Sequence, residues 1–128
     1  MKIIKIIYNM EANKRELGNK AEEIVAEYLQ KNKYLIKKRN FHFGKVGELD
    51  IIAEKDNLLV FIEVRSRYSQ NSIDPILTFS NKKRRSILKT IEGYLYVNKI
   101  TDKDCRFDFI SIDMFYDKPK INHIENAL

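Results

Sequence analysis

At 128 residues and 44% hydrophobic side chains, the chain suits one domain around one core, spanning residues 1–128, and leaves little room for a second. Apolar residues recur in periodic blocks, which excludes a disordered chain, and the single cysteine, Cys105, excludes an intrachain disulfide and a cysteine-rich zinc site. A net charge of +6, from 24 basic and 18 acidic residues, favours polyanionic partners, with nucleic acid ahead of acidic membrane.

The first ten residues, MKIIKIIYNM, are apolar but interrupted by Lys2 and Lys5. They run into a charged stretch without a small-residue cleavage site, so they read as an N-terminal extension and not as a signal peptide. No apolar run reaches the ~18 residues of a membrane span. With the lone thiol, these features point to a cytoplasmic protein without membrane partners.

Residues 11–31 are expected to form a helix. Leu17, Ala21, Ile24, Val25, Tyr28 and Leu29 recur at three- and four-residue steps and cover one arc of a helical wheel. Glu23 and Glu27 fall on the opposite side, whereas Glu22 falls on the rim of the apolar arc. Residues 34–43 read as a somewhat irregular strand, and 47–54 and 57–66 as two more. The short Lys55-Asp56-Asn57 link makes the latter two an antiparallel hairpin. Segment 58–64 is apolar on both faces except at Glu63, the pattern of a central, doubly covered strand. Residues 67–79 are a polar loop carrying Pro75. Ser80 is a suitable N-cap for a second helix to about Val97, with Ile87, Leu88, Ile91 and Leu95 as its apolar stripe. Residues 106–113 and 119–124 complete the strands. The order α-β-β-β-α-β-β implies an α/β sandwich, with helices flanking a mixed central sheet.

Strand alternation is expected to put Glu48, Asp50 and Ile52 on one face, and Leu59, Phe61, Glu63 and Arg65 on one face of the next strand. The second of these faces starts in the core and ends in a carboxylate and a cation. Burying an unpaired carboxylate costs several kcal/mol, so a cation, a metal or water must offset it. On neighbouring strands Asp50 and Glu63 can converge, and two such carboxylates raise each other's pKa. A hard divalent cation such as Mg²⁺ or Mn²⁺ relieves that repulsion through oxygen ligands. Glu22 could add a third carboxylate if its helix packs across the sheet. Taken alone, an E-x-R is more often an internal ion pair, with Asp50 capping a turn. The complete set is less ordinary: an acid on the first helix, G-E-x-D before the hairpin, and an apolar strand ending in E-x-R.

That set resembles the YraN-like family of small bacterial proteins, placed in the PD-(D/E)xK nuclease superfamily beside archaeal Holliday-junction resolvases. The resembling segments are GNKAEEIVAEYL (18–29), KYLIKKRN (33–40), GELDIIAE (47–54), LLVFIEVRSR (58–67), KKRRSILKTIEGYL (82–95), RFDFISI (106–112) and HIENAL (123–128). The resemblance implies a restriction-endonuclease-like fold and a metal-dependent endonuclease acting on DNA, with branched or single-stranded forms as candidate substrates and RNA less favoured. Carried over by motif, the acidic helix residue falls on Glu22, the strand aspartate on Asp50, the (D/E)xK acid on Glu63 and the lysine position on Arg65. In similar nucleases the aspartate and the motif acid bind Mg²⁺ or Mn²⁺, helped by the intervening backbone carbonyl, here that of Val64. Glu48 reads as a helper beside them. Related resolvases are dimers, which suggests a homodimer.

Two features depart from the pattern. Ala21 stands where the family usually has glycine. Arg65 stands in the lysine position, and an arginine stays protonated and cannot act as a base, although it can clamp a phosphate oxygen. That departure keeps open a non-catalytic nucleic-acid-binding module with a degenerate site, and, further off, a protein-interaction role. Lys82, Lys83, Arg84, Arg85 and Lys89 open the second helix as candidate phosphate contacts, Lys83 aligning best with a basic position of the motif. Lys31, Lys33, Lys37, Lys38 and Arg39 form a weaker basic group. His42 and His123 are read as structural or exposed, Asp108 as paired with a base such as Arg106, and Tyr68 as an ordinary loop residue.

Overall fold

The computed structural model describes the backbone of residues 2–128 and the side chains from Glu16 onward. Its elements are α1 (Lys2–Lys31), β1 (Leu35–Phe43), β2 (Gly47–Lys55), β3 (Leu58–Arg67), a short 3₁₀ turn (Pro75–Thr78), α2 (Asn81–Val97), β4 (Asp104–Asp113) and β5 (Lys120–Ile124). The expected order is therefore observed. The first helix begins at Lys2 and not at residue 11, so the stretch read as an extension is continuous with α1, while Met1 lies outside the described residues.

The strands form one sheet in the order β1-β2-β3-β4-β5, with β3 and β4 parallel and the other neighbours antiparallel. The β2–β3 turn is tighter than the three-residue link suggests. Lys55 pairs with Leu58, and Asp56 and Asn57 hold φ of 52° and 64°. Two consecutive left-handed residues twist the backbone to match the strands, and Asp and Asn tolerate that conformation better than most.

Each helix covers one face of the sheet. Ala21, Val25 and Leu29 of α1 pack on Ile51, Ala53, Val60, Ile62, Ile110 and Ile112. Ile87, Ile91 and Tyr94 of α2 pack on Leu49, Ile52, Leu59, Phe61 and Phe107. β3 is thus covered on both sides, and residues 59–63 are all buried. Leu88, expected in the apolar stripe of α2, is instead 47% exposed, and Thr90 takes a buried place. Ser80 caps α2, its hydroxyl accepting from the Lys83 amide at 3.1 Å.

The sheet forks at one end. The β2–β3 ladder runs from Lys55↔Leu58 to Ile51↔Ile62 and stops. Past that point β2 stays paired with β1 to Gly47↔Phe43, and β3 stays paired with β4 to Arg67↔Asp113. Alternation slips at the same level. Leu49 and Ile52 face α2, whereas Ile51 faces α1, so Glu48, Asp50 and Ile52 do not share one face as a regular strand would require. On β1, Asn40 sits between Arg39↔Ile51 and Phe41↔Leu49 with φ of 53°, and this left-handed residue accompanies the switch of faces.

Candidate functional site

The fork exposes backbone groups that a continued ladder would satisfy, and a side chain takes over that task. The Val64 amide donates to Asp50 Oδ2 at 2.7 Å. This fixes the Asp50 carboxylate in the gap between β2 and β3, at the level of Glu63. Glu63 projects from β3 toward α2, continuing the face of Leu59 and Phe61, as alternation requires.

Glu63 is only 3% exposed. Its partners are an ammonium and a guanidinium: Lys83 Nζ lies 3.3 Å from Oε2, and Arg65 lies 3.9 Å from Oε1. The ion-pair reading of E-x-R is thus partly realised, but incompletely. Oε2 is fully buried and accepts no hydrogen bond of proper geometry among the described residues. Two other buried acids, by contrast, are satisfied. Asp108 accepts from Arg106, His123 and the Asn126 amide, and Asp113 accepts from Arg67 and Asn122. Glu63 Oε2 has an ion pair with Lys83 but no hydrogen bond of proper geometry, so Glu63 is the buried acid whose hydrogen bonding is least complete.

Electrostatics single out its neighbour. Burial, and then the hydrogen bond and charge of the Glu63 carboxylate, push Asp50 up from 3.8 to about 8, against the opposing Val64 amide. Crowding and burial thus favour the protonated form of Asp50 while no cation lies between the carboxylates.

Glu22 occupies the rim of α1, half-buried as its place on the wheel implies. Burial raises its pKa, Arg39 opposes this, and the charge of Glu48 adds to it. It lines a cleft of about 450 Å³ with Gly18, Asn19, Asn40, Val64 and Ser66, and its charge is felt at Asp50. The two helices thus approach the fork from opposite faces, α1 with Glu22 and α2 with Lys83. Glu48 is exposed and pairs with His42 at 3.4 Å. Among the described residues no three His, Cys, Asp or Glu side chains gather as a metal cage, so the structure brings Asp50 and Glu63 together and leaves Glu22 and Glu48 outside that pair.

The basic residues of α2 divide. Lys82, Arg85 and Lys89 are exposed. Arg84 turns inward, donating to the Ala127 carbonyl at 3.2 Å and stacking on Phe79, and Lys83 joins the acids. The placement of Lys83 was legible in principle. It lies four residues before buried Ile87 and seven before buried Thr90, on the helix stripe that meets the sheet. His123 and Asp108 are structural, as expected, joined at 2.8 Å under Tyr28.

A mixed sheet between two helices, forked beside an aspartate and an E-x-R acid, is the restriction-endonuclease-like arrangement. The profile described as "Uncharacterised protein family UPF0102" matches residues 21–112. The chain belongs to this family, the YraN-like proteins of that superfamily. Similar proteins, each called a UPF0102 protein, come from Carboxydothermus hydrogenoformans (40% identical, covering 91% of this chain and 98% of that one) and Syntrophomonas wolfei (41%, covering 88% and 97%). A third, from Persephonella marina, is 41% identical over 86% of this chain and 90% of its own. Among the described residues no helix is long and apolar enough to cross a membrane.

Proposed function

We propose that the protein is a metal-dependent phosphodiester hydrolase that cuts DNA, with Asp50 and Glu63 holding Mg²⁺ or Mn²⁺ at the fork. The observation that carries this reading is the pair itself: a buried acid whose Oε2 meets the Lys83 ammonium without a hydrogen bond of proper geometry, beside a second carboxylate held in the fork by the Val64 amide. The donor set suits a hard cation. Mg²⁺ is commonly bound by one or two carboxylates with waters and substrate phosphates, so two acids and the Val64 carbonyl suffice without a complete cage. Such an ion, when bound, neutralises phosphoryl charge and lowers the pKa of a water.

The protein's own groups supply the rest. Asp50 is held by the Val64 amide, so its second oxygen is directed without freedom to turn away. Arg65, 47% exposed at the mouth of the site, can bind a phosphate oxygen but cannot take a proton from water. Glu22 lines the cleft on the α1 side, where it can accept a hydrogen bond from a water or support the metal. The first turn of α2 carries basic residues and no acidic one, an unfavourable arrangement for a helix N-terminus unless an anion offsets it. Exposed Lys82, Arg85 and Lys89 fit a phosphate backbone, DNA ahead of RNA. A homodimer in the cytoplasm, matched to two symmetric cuts, completes the proposal.

The test is cleavage of a panel of duplex, single-stranded and branched DNA with Mg²⁺ or Mn²⁺. Asp50→Ala and Glu63→Ala are each expected to reduce cleavage by about a hundredfold or more. Unchanged cleavage in either variant would remove the assignment. Arg65 favours a second reading, a nucleic-acid-binding module that retains the fold without the chemistry. Its signature is steeply salt-dependent DNA binding with no metal-dependent cleavage.

A further inference from the structure

The motif lysine is absent from β3, yet a lysine stands in the site. We propose that Lys83 of α2 is the working lysine here: its ammonium neutralises Glu63 in the cation-free protein, yields that carboxylate to a divalent cation, and then faces the substrate phosphate. This deepens the proposed nuclease site and rests on that reading.

The other buried acids show what a purely structural pairing looks like in this fold. Asp108 is gripped by two nitrogens of Arg106, each at 2.8 Å, and Asp113 by two of Arg67 at 3.0 and 3.3 Å. Planar, bidentate pairs of this kind fix both partners. Glu63 receives instead a point charge on a flexible stem, 3.3 Å from an oxygen that accepts no proper hydrogen bond. The Lys83 side chain remains 32% exposed, so it can leave Glu63 without being stranded in the core. Its backbone, by contrast, is fixed. Ser80 caps its amide, and α2 sits so close to the start of β2 that a Cβ on Gly47 would lie 2.6 Å from both Ser86 Oγ and Thr90 Oγ1. A fixed anchor with a movable charged tip suits a group that exchanges partners. Arg65, two residues along the same strand as Glu63, lies at 3.9 Å and does not fill this place. The role needs no loss of a proton from Lys83.

An ammonium on Glu63 competes with a metal for the same oxygen, so removing it should tighten metal binding even as it weakens cleavage. A lysine that only decorates the helix would not produce this. The experiment is Mn²⁺ titration calorimetry without DNA on wild type, Lys83→Met, Lys83→Gln, Lys82→Met and Asp50→Asn, with circular dichroism to confirm folding. Both neutral variants at Lys83 are expected to bind Mn²⁺ about tenfold more tightly than wild type, and Lys82→Met, which removes an equal but exposed charge, to stay within about threefold. Affinity at Lys83→Met and Lys83→Gln that is unchanged or weaker would overturn the proposal. If Asp50→Asn still abolished binding in that case, the metal site would stand without Lys83. No Mn²⁺ uptake by wild type or by either Lys83 variant would overturn both.

Discussion

Asp50 and Glu63 share one fork and differ in what holds them. Glu63 has two cations nearby and no hydrogen bond of proper geometry at Oε2, whereas Asp50 has a backbone amide and a raised pKa that favours its protonated form. The raised pKa has a thermodynamic consequence. Asp50 is raised from 3.8 to about 8, so the folded protein binds a proton that the unfolded chain releases. Stability therefore falls as pH rises through the window from about 4 to about 8 and is flat above it, the reverse of an acid held by a salt bridge. Asp50→Asn keeps an acceptor for the Val64 amide and removes the titration. It is expected to stabilise the protein at pH 8 by roughly 1–3 kcal/mol and to flatten this part of the profile. Urea unfolding across that pH range measures it; parallel profiles for the two proteins would mean that Asp50 is ionised throughout.

At the scale of elements, the site depends on how closely α2 approaches β2. Gly47 permits that approach, because a Cβ there would meet the Ser86 and Thr90 hydroxyls. Ser86 also donates to the Val46 carbonyl at 2.6 Å, tying the helix to the residue before the strand. Gly47→Ala is expected to cost about 1–3 kcal/mol by overpacking. Urea denaturation checks this, and an unchanged midpoint would show that α2 yields without loss. The elements themselves were legible, because apolar periodicity specifies α1, α2 and the buried β3, and Asp56-Asn57 specify the hairpin. The fork was not. It depends on Asn40 adopting a left-handed φ and on Asp50 replacing a ladder bond, and neither leaves a periodic trace. Strict alternation therefore misassigned the faces around Asp50 while placing Glu63 correctly. Lys83 was visible as a basic residue of the motif. Its neighbours in a run of four cations disguised the one that turns toward the sheet.

Across the whole molecule, the charge of +6 is unevenly used. Arg106 and Arg67 are committed to buried acids, Arg39 to Glu23, and Lys37 and Lys103 to Glu54. The basic first turn of α2 lies beside the forked end of the sheet, and from it Lys83 reaches Glu63, joined there by Arg65 of β3. Membership of the UPF0102 family fixes the fold and the motif, and the chemistry rests on whether the fork takes a cation. The most direct measurement is Mn²⁺ titration calorimetry of wild type and the Asp50→Asn/Glu63→Gln double variant, with and without a DNA oligonucleotide. Uptake by wild type that vanishes in the double variant is the expected result. A folded wild type that takes up no Mn²⁺ under either condition, or a double variant that binds it equally well, would contradict a metal site at Asp50 and Glu63.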